Sequence, residues 1–225
     1  MAIATYKGLC IDANDGRRMG SFWGSALGLE TTYDDGDDAY LSGTLPGDSV
    51  WINVVPEPRT VKQRVHIDVH GRSVDEYEAW GATRLSEPDE FPWTVMADPE
   101  GGEFCVFVRE QLPERRFYEL IIDSADTEMI ANWWAGVFNT RCVADERGFH
   151  WIDGIPGFPA DAWAFVPVPE PKIAKNRIHW DLDVQSVDDI VSIGATVLRE
   201  PDHEISWTIL TDPEGNEFCA FKTDS

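Results

Sequence analysis

Two short runs carry the side chains with the clearest chemical potential: Val65-His66-Ile67-Asp68 and Ile178-His179-Trp180-Asp181. Side chains alternate along an extended strand, so His66 and Asp68 share one face, as do His179 and Asp181. The same rule puts Glu103 with Cys105, and Glu217 with Cys219, on one face of a strand. Imidazole and carboxylate together suit Zn, Fe, Ni or Mn, and a thiolate tilts the choice toward Zn. A catalytic ion needs about three protein ligands and an open position. The plainer reading of the same residues is strand histidines held by hydrogen bonds and thiols packed in the core.

These runs belong to an internal repeat. Asp98-Pro99-Glu100-Gly101-Gly102-Glu103-Phe104-Cys105-Val106-Phe107 returns as Asp212-Pro213-Glu214-Gly215-Asn216-Glu217-Phe218-Cys219-Ala220-Phe221. Val55-Pro56-Glu57-Pro58 answers Val168-Pro169-Glu170-Pro171, and Lys62-Gln63-Arg64 answers Lys175-Asn176-Arg177. Phe22-Trp23 answers Trp133-Trp134, and Asp12 answers Asp123. Collinear matches of this length imply one fold built twice. Two domains are expected, residues 1–110 and 114–225, joined near Gln111-Leu112-Pro113.

Each copy must supply the elements that position those residues. Leu9–Asp12 reads as a short apolar strand. Asp15 can cap a helix running to Leu27, with Met19, Phe22, Trp23, Ala26 and Leu27 on one stripe and Gly28 as its stop. Strands follow near Ala39–Leu41 and Val50–Val55, and Pro56-Glu57-Pro58 ends the pattern. A second cycle starts with the strand Val65–Val69. Ser73 has capping-box spacing to Glu76 and starts a short helix ending at Gly81. Trp93–Ala97 and Phe104–Val108 are then joined by Asp98-Pro99-Glu100-Gly101, which suits a type I turn. In the second copy Asp126 and Ser186 take the capping roles. Short helices among mostly antiparallel strands give an α+β class.

Composition narrows the function. Hydrophobic residues at 43% call for a packed core. No apolar run approaches the roughly 18 residues that suggest a membrane span, and the N-terminus has no signal-peptide pattern, so a cytoplasmic protein without membrane partners is expected. A net charge of −23 argues against nucleic acid, whose phosphates need clustered Lys and Arg. The same charge would attract a cationic small molecule. The four cysteines lack CxxC spacing and are expected as reduced thiols.

In order along both copies, the chain resembles the vicinal oxygen chelate superfamily of glyoxalases, extradiol dioxygenases and bleomycin-resistance proteins. The residues that carry the resemblance are Asp15, Phe22, Trp23, Leu27 and Gly28, the run Lys62-Gln63-Arg64-Val65-His66, and the turn and strand from Asp98 to Cys105. The resemblance implies paired strand–helix–three-strand modules that form a curved open sheet around a cleft, with one cleft in each copy. It also implies a divalent metal held by first-strand and last-strand residues. Carried over position by position, the first-strand ligands match His66 and His179, and Gly8 and Glu119, and the last-strand positions match Cys105 and Cys219. Because glycine offers no ligand, the expected metal set is Glu119, His179 and Cys219, with Glu217 as third ligand or general base. Trp51, Trp163, Trp180 and Trp207, with His66, are expected to line the clefts and touch the ligand.

Two functions follow from the resemblance. One is a metal-dependent lyase, isomerase or dioxygenase acting on a substrate with adjacent oxygens. The other is a metal-free protein of the bleomycin-resistance kind that sequesters a cationic or aromatic small molecule. Either is expected as a monomer or homodimer.

Overall fold

The computed structural model describes residues 1–45 and 47–223. The first copy runs β1 (Ala4–Ala13), α1 (Gly16–Leu27), β2 (Glu30–Tyr33), β3 (Ala39–Ser42), β4 (Ser49–Val54), β5 (Val65–Gly71), α2 (Val74–Ala79), β6 (Thr83–Arg84), β7 (Thr94–Ala97) and β8 (Glu103–Val108). The second runs β9 (Phe117–Ser124), α3 (Thr127–Phe138), β10 (Cys142–Ala144), β11 (His150–Asp153), β12 (Ala162–Pro167), β13 (Ile178–Val184), α4 (Val187–Ser192), β14 (Thr196–Arg199), β15 (Thr208–Thr211) and β16 (Glu217–Lys222). The class is α+β, with two curved open sheets of eight strands.

Local chemistry sets the element ends. The Asp15 carboxylate accepts from Arg18 N, and α1 closes on Gly28 at φ 71°. Asp126 caps α3 in the same way, and Asn139, at φ 53°, takes the place of the glycine. Ser73 accepts from Glu76 N at the head of α2, whereas Ser186 starts α4 without a side-chain cap. The short strands β2 and β6 are absent from the sequence reading. Glu30–Tyr33 is mostly exposed and β6 has only two residues, so neither carries a hydrophobic alternation.

The way the modules pair differs from expectation. One sheet has the order β14-β15-β16-β13-β1-β4-β3-β2, and the other β10-β11-β12-β9-β5-β8-β7-β6. The first module of one copy therefore joins the last module of the other through β1 and β13, and the two middle modules join through β5 and β9. We call these the outer-module and the middle-module sheets. Each contains half of each copy, so each cleft is shared between copies. A repeat shows which segments are alike. It does not show which edges pair, because β1 could meet β5 or β13 with the same alternation.

The two long helices occupy the space between the sheets. Helix α1 lies on β2, β3 and β4, and its Phe22 and Trp23 also pack on Phe104 of β8, with ring centroids 5.6 and 5.5 Å apart. Trp134 of α3 touches Trp163 of β12 at 5.1 Å, and Trp180 of β13 and Phe218 of β16 at 5.4 and 5.3 Å. One hydrophobic core thus spans both sheets. The faces that carry His66 with Asp68 and His179 with Asp181 lie on the other side of each sheet from this core.

This layering corrects part of the expected ligand wall. Trp163 and Trp180 are fully buried and pack on Trp134, so they belong to the core and not to a cleft. The cause is strand alternation. Trp180 lies between His179 and Asp181, so it must point to the opposite face.

Candidate metal centre in the middle-module sheet

Residues paired across neighbouring strands share a face. On the outer face of the middle-module sheet, Asp68 of β5 stands opposite Cys105 of β8 on one side and Glu119 of β9 on the other. His66 lies two residues before Asp68 on the same face. The His66 Nε2 atom is 3.5 Å from Asp68 Oδ1 and 3.9 Å from Cys105 Sγ. One donor atom each from His66, Asp68 and Cys105 falls within 4.8 Å of the others, and among the described residues this is the one such group.

Burial dominates the electrostatics of this cluster, and hydrogen bonds from the Cys105 thiol and backbone offset it only in part at Asp68. Burial pushes the Asp68 carboxyl well above its ordinary range, and neighbouring Glu119 adds to the rise. Burial also raises Glu119, with Asp161 contributing. The Cys105 thiol is pushed up by burial and by Asp68. Burial lowers His66 to about 3, helped by Lys62, so the imidazole is neutral and able to ligate. Asp68 Oδ1 and His66 Nδ1 are buried without hydrogen-bond partners. A buried aspartate, a neutral imidazole and a thiol converging on one point, with half-buried Glu119 opposite the aspartate in the ladder, fit a divalent cation.

The equivalent face of the outer-module sheet is different. Gly8 stands opposite Asp181, where Glu119 stands opposite Asp68. The Cys10 thiol donates to Asp181 Oδ2 at 3.5 Å. Burial raises Asp181 to about 6 and lowers His179. Both aspartates are answered by thiols, Asp68 by Cys105 and Asp181 by Cys10 and Cys219, but only Asp68 also faces a second acidic residue.

The expected metal set is consequently divided. Glu119 lies in the middle-module sheet, and His179 and Cys219 lie in the outer-module sheet, so the three cannot hold one ion. Glu217, expected as base or ligand, has both oxygens engaged. Lys172 Nζ donates to Oε1 at 2.7 Å and Asn176 N to Oε2 at 3.2 Å. It anchors the segment that leads into β13. Of the expected ligand-contact residues, His66 lies in the His66–Asp68–Cys105 cluster. Trp51 stands opposite Cys10 on the outer-module face, 44% exposed, and Trp207 stacks on Phe221 on that same face. The sequence reading placed neither Asp68 nor Cys105 in its metal set, and Asp68 was not named as a candidate ligand at all. Its signal was the His66-Ile67-Asp68 alternation combined with the β5–β9 pairing, and only the former is visible without coordinates.

A cavity of about 690 Å³ lies between the two segments that cross from one sheet to the other, 55–64 and 168–177. Reciprocal bonds hold these segments together. Arg64 Nη1 donates to Glu170 O at 2.7 Å, and Arg177 Nη1 to Glu57 O at 2.6 Å. Lys62 pairs with Asp123 at 2.8 Å, and Lys175 with Asp12. This region fixes how β5 and β13 enter their sheets, and so where His66 and His179 sit.

Comparisons with known proteins agree with this architecture. Glyoxalase I from Zea mays superposes with a TM-score of 0.72 at 13% identity, covering 97% of this chain and 92% of that one. A putative dioxygenase from Bacillus subtilis subsp. subtilis str. 168 gives a TM-score of 0.63 at 14% identity, covering 97% and 86%. At such identities the likeness is one of fold. No curated protein matches the sequence. The family model for the glyoxalase-like domain matches residues 8–107 and again 119–221. The chain therefore belongs to the glyoxalase-like domain family, which it carries twice, within the vicinal oxygen chelate superfamily.

Proposed function

We infer that the protein is a metal-dependent enzyme whose working cleft is the outer face of the middle-module sheet. The observation that carries this reading is the convergence of His66, Asp68 and Cys105 within 4.8 Å, with Glu119 opposite Asp68 in the ladder. His66 Nε2, an Asp68 oxygen, Cys105 Sγ and Glu119 would hold the ion. When bound, the metal supplies Lewis-acid polarisation to a substrate with adjacent oxygens. The chain's own residues do the rest. The β5–β8 and β5–β9 ladders hold the donors in fixed register, and Val95, Phe107 and Ile121 share their face and limit access of water. The reaction class is a lyase, isomerase or dioxygenase step.

Elemental analysis of protein purified without a polyhistidine tag tests this reading. The expected result is one divalent ion per chain, with a raised melting temperature. Ligand at a hundredfold over Kd should stabilise by about 2.7 kcal/mol. His66→Ala and Cys105→Ser should each remove that gain, while His179→Ala should leave it intact. Absence of metal, with no stabilisation by Zn, Ni, Mn or Fe(II), would refute the reading. Asp68→Asn gives a two-part result. It should abolish metal binding yet leave the metal-free protein at least as stable, because an amide at 68 cannot ionise beside Glu119. Paired chemical-denaturation curves would show it.

The outer-module face favours a second reading for itself. Tyr40 and Trp51 lie 4.4 Å apart there, and Trp207 stacks on Phe221 at 5.2 Å. The exposed Trp51 ring beside Tyr40 suits capture of a flat cationic molecule without a metal. Quenching of tryptophan fluorescence by planar cationic antibiotics, weakened by salt, is the expected result, and Trp51→Ala should reduce it. An unchanged spectrum across such compounds would sink it.

A further inference from the structure

The middle-module cleft has a second group of side chains beside the proposed metal centre, and it points to a substrate class. At the position where β5 and β9 slip register, between Asp68 and Val69, Tyr118 is the extra residue. A bulge of this kind re-aims a side chain. Tyr118 meets the face of the sheet that carries His70 and Phe107, at ring-centroid distances of 4.5 and 4.9 Å. Phe107 in turn stacks on Trp93 at 5.5 Å, and Trp93 on Phe91 at 5.6 Å. Phe107 lies two residues after Cys105, and His70 two residues after Asp68, so this aromatic wall continues the same strand faces that hold the donors.

A cation crowns the wall. The Arg109 guanidinium sits 5.5 Å from the Phe107 ring and 5.7 Å from the Tyr118 ring. It makes no hydrogen bond or ion pair among the described residues, although the chain has 41 acidic residues. His70 beneath it is 9% exposed, and its Nδ1 has no partner. A half-buried guanidinium whose only contacts are ring faces is left free to take a negative group.

The outer-module sheet provides an internal comparison. The same register slip recurs between Tyr6 and Gly8, so Lys7 takes the place of Tyr118. Asp183 stands where His70 does, and it binds Lys7 at 3.0 Å. Lys7 also lies over Phe221 at 5.0 Å. That sheet thus neutralises its cation internally, and the middle-module sheet does not.

We propose that the middle-module cleft takes an aromatic anion, its ring against Phe107, Trp93 and Tyr118 and its negative group on Arg109. This names the substrate class of the cleft and rests on that cleft being the working site. The planar guanidinium fork suits a carboxylate, and the rings supply stacking.

Calorimetric titration tests it with three probes: 2-hydroxybenzoate, neutral phenol, and the aliphatic anion lactate. Both metal-free and metal-loaded protein are used. The expected order is 2-hydroxybenzoate tighter than phenol or lactate. Arg109→Met should weaken 2-hydroxybenzoate by about ten- to a hundredfold, as loss of a charge-assisted hydrogen bond does. Phenol should change by less than about twofold, and Arg109→Lys should restore part of the loss. Equal binding of phenol and 2-hydroxybenzoate, or an Arg109→Met effect equal on both, overturns the proposal. Arg109-dependent binding in protein that takes up no metal would uphold the anion site and sink the metal reading. Metal uptake without any preference for aromatic anions would do the reverse.

Discussion

Replacing Trp134 with Ala is expected to cost about 3–5 kcal/mol of folding free energy, the range for truncating a large buried aromatic. Trp134 is the best-connected ring in the molecule. It lies within 5.5 Å of Trp133, Phe138, Trp163, Trp180 and Phe218. Those partners come from α3 and from both sheets, so the cavity would open where the sheets are joined. Urea unfolding followed by circular dichroism measures the loss. Trp134→Phe, which keeps a ring, should lose less. A loss below about 1 kcal/mol for the Ala variant would mean that Trp134 does not bridge the two layers.

Asp212→Ala should be nearly as damaging. The Asp212 carboxylate accepts four hydrogen bonds, from Glu214 N, Asn216 N, Asn216 Nδ2 and Trp134 Nε1. Its removal leaves buried donors unsatisfied, at about 1–3 kcal/mol for each that finds no substitute. The repeat supplies a control. Asp98 accepts only from Glu100 N and Gly102 N, and Trp23 Nε1 is left without a partner. Asp98→Ala should therefore cost measurably less, by roughly half. The pH dependence has a definite sign. Burial lifts Asp212 from 3.8 to about 6, so the folded state favours its protonated form. Stability from this group is full below about pH 4 and is lost as pH rises through 6. The cost of Asp212→Ala should accordingly be larger at pH 5 than at pH 7.5, as denaturation midpoints at the two pH values would reveal.

The same pair of turns shows compensation within the repeat. A side chain at Gly102 would meet Gln63 Nε2 at 2.6 Å and Asp98 Oδ2 at 2.7 Å. In the second copy Asn216 fills that place and bonds the shorter Asn176 at 2.9 Å. A long side chain at 63 with glycine at 102 thus becomes a short one at 176 with asparagine at 216.

Much of the architecture was legible in the residues. Asp15 and Gly28 marked both ends of α1 because capping and left-handed closure are local chemistry. The Asp98–Gly101 turn was legible for the same reason, and Gly101 N does donate to Asp98 O at 2.9 Å. Duplication was plain from matched strings. Strand pairing was hidden, because β1 and β9 present the same alternation to any edge. That single unknown scattered the expected metal set, joining Glu119 to His179 when the ladder joins it to Asp68 and stands it near His66. Tyr118 and Arg109 were hidden for a second reason. A bulge changes a side chain's face, and neither residue breaks any pattern of composition or spacing.

The exchange of halves between the copies has a consequence for symmetry. Suppose a single copy were cut free. Its β1 and β5 would each lose the neighbour they have here, and two such pieces restoring those neighbours would form a pair with identical sites. Joining them in one polypeptide makes assembly independent of concentration and lets the two sites diverge. Glu119 against Gly8, and Tyr118 against Lys7, are what that freedom permits: one chain with two pockets that no longer have to do the same job.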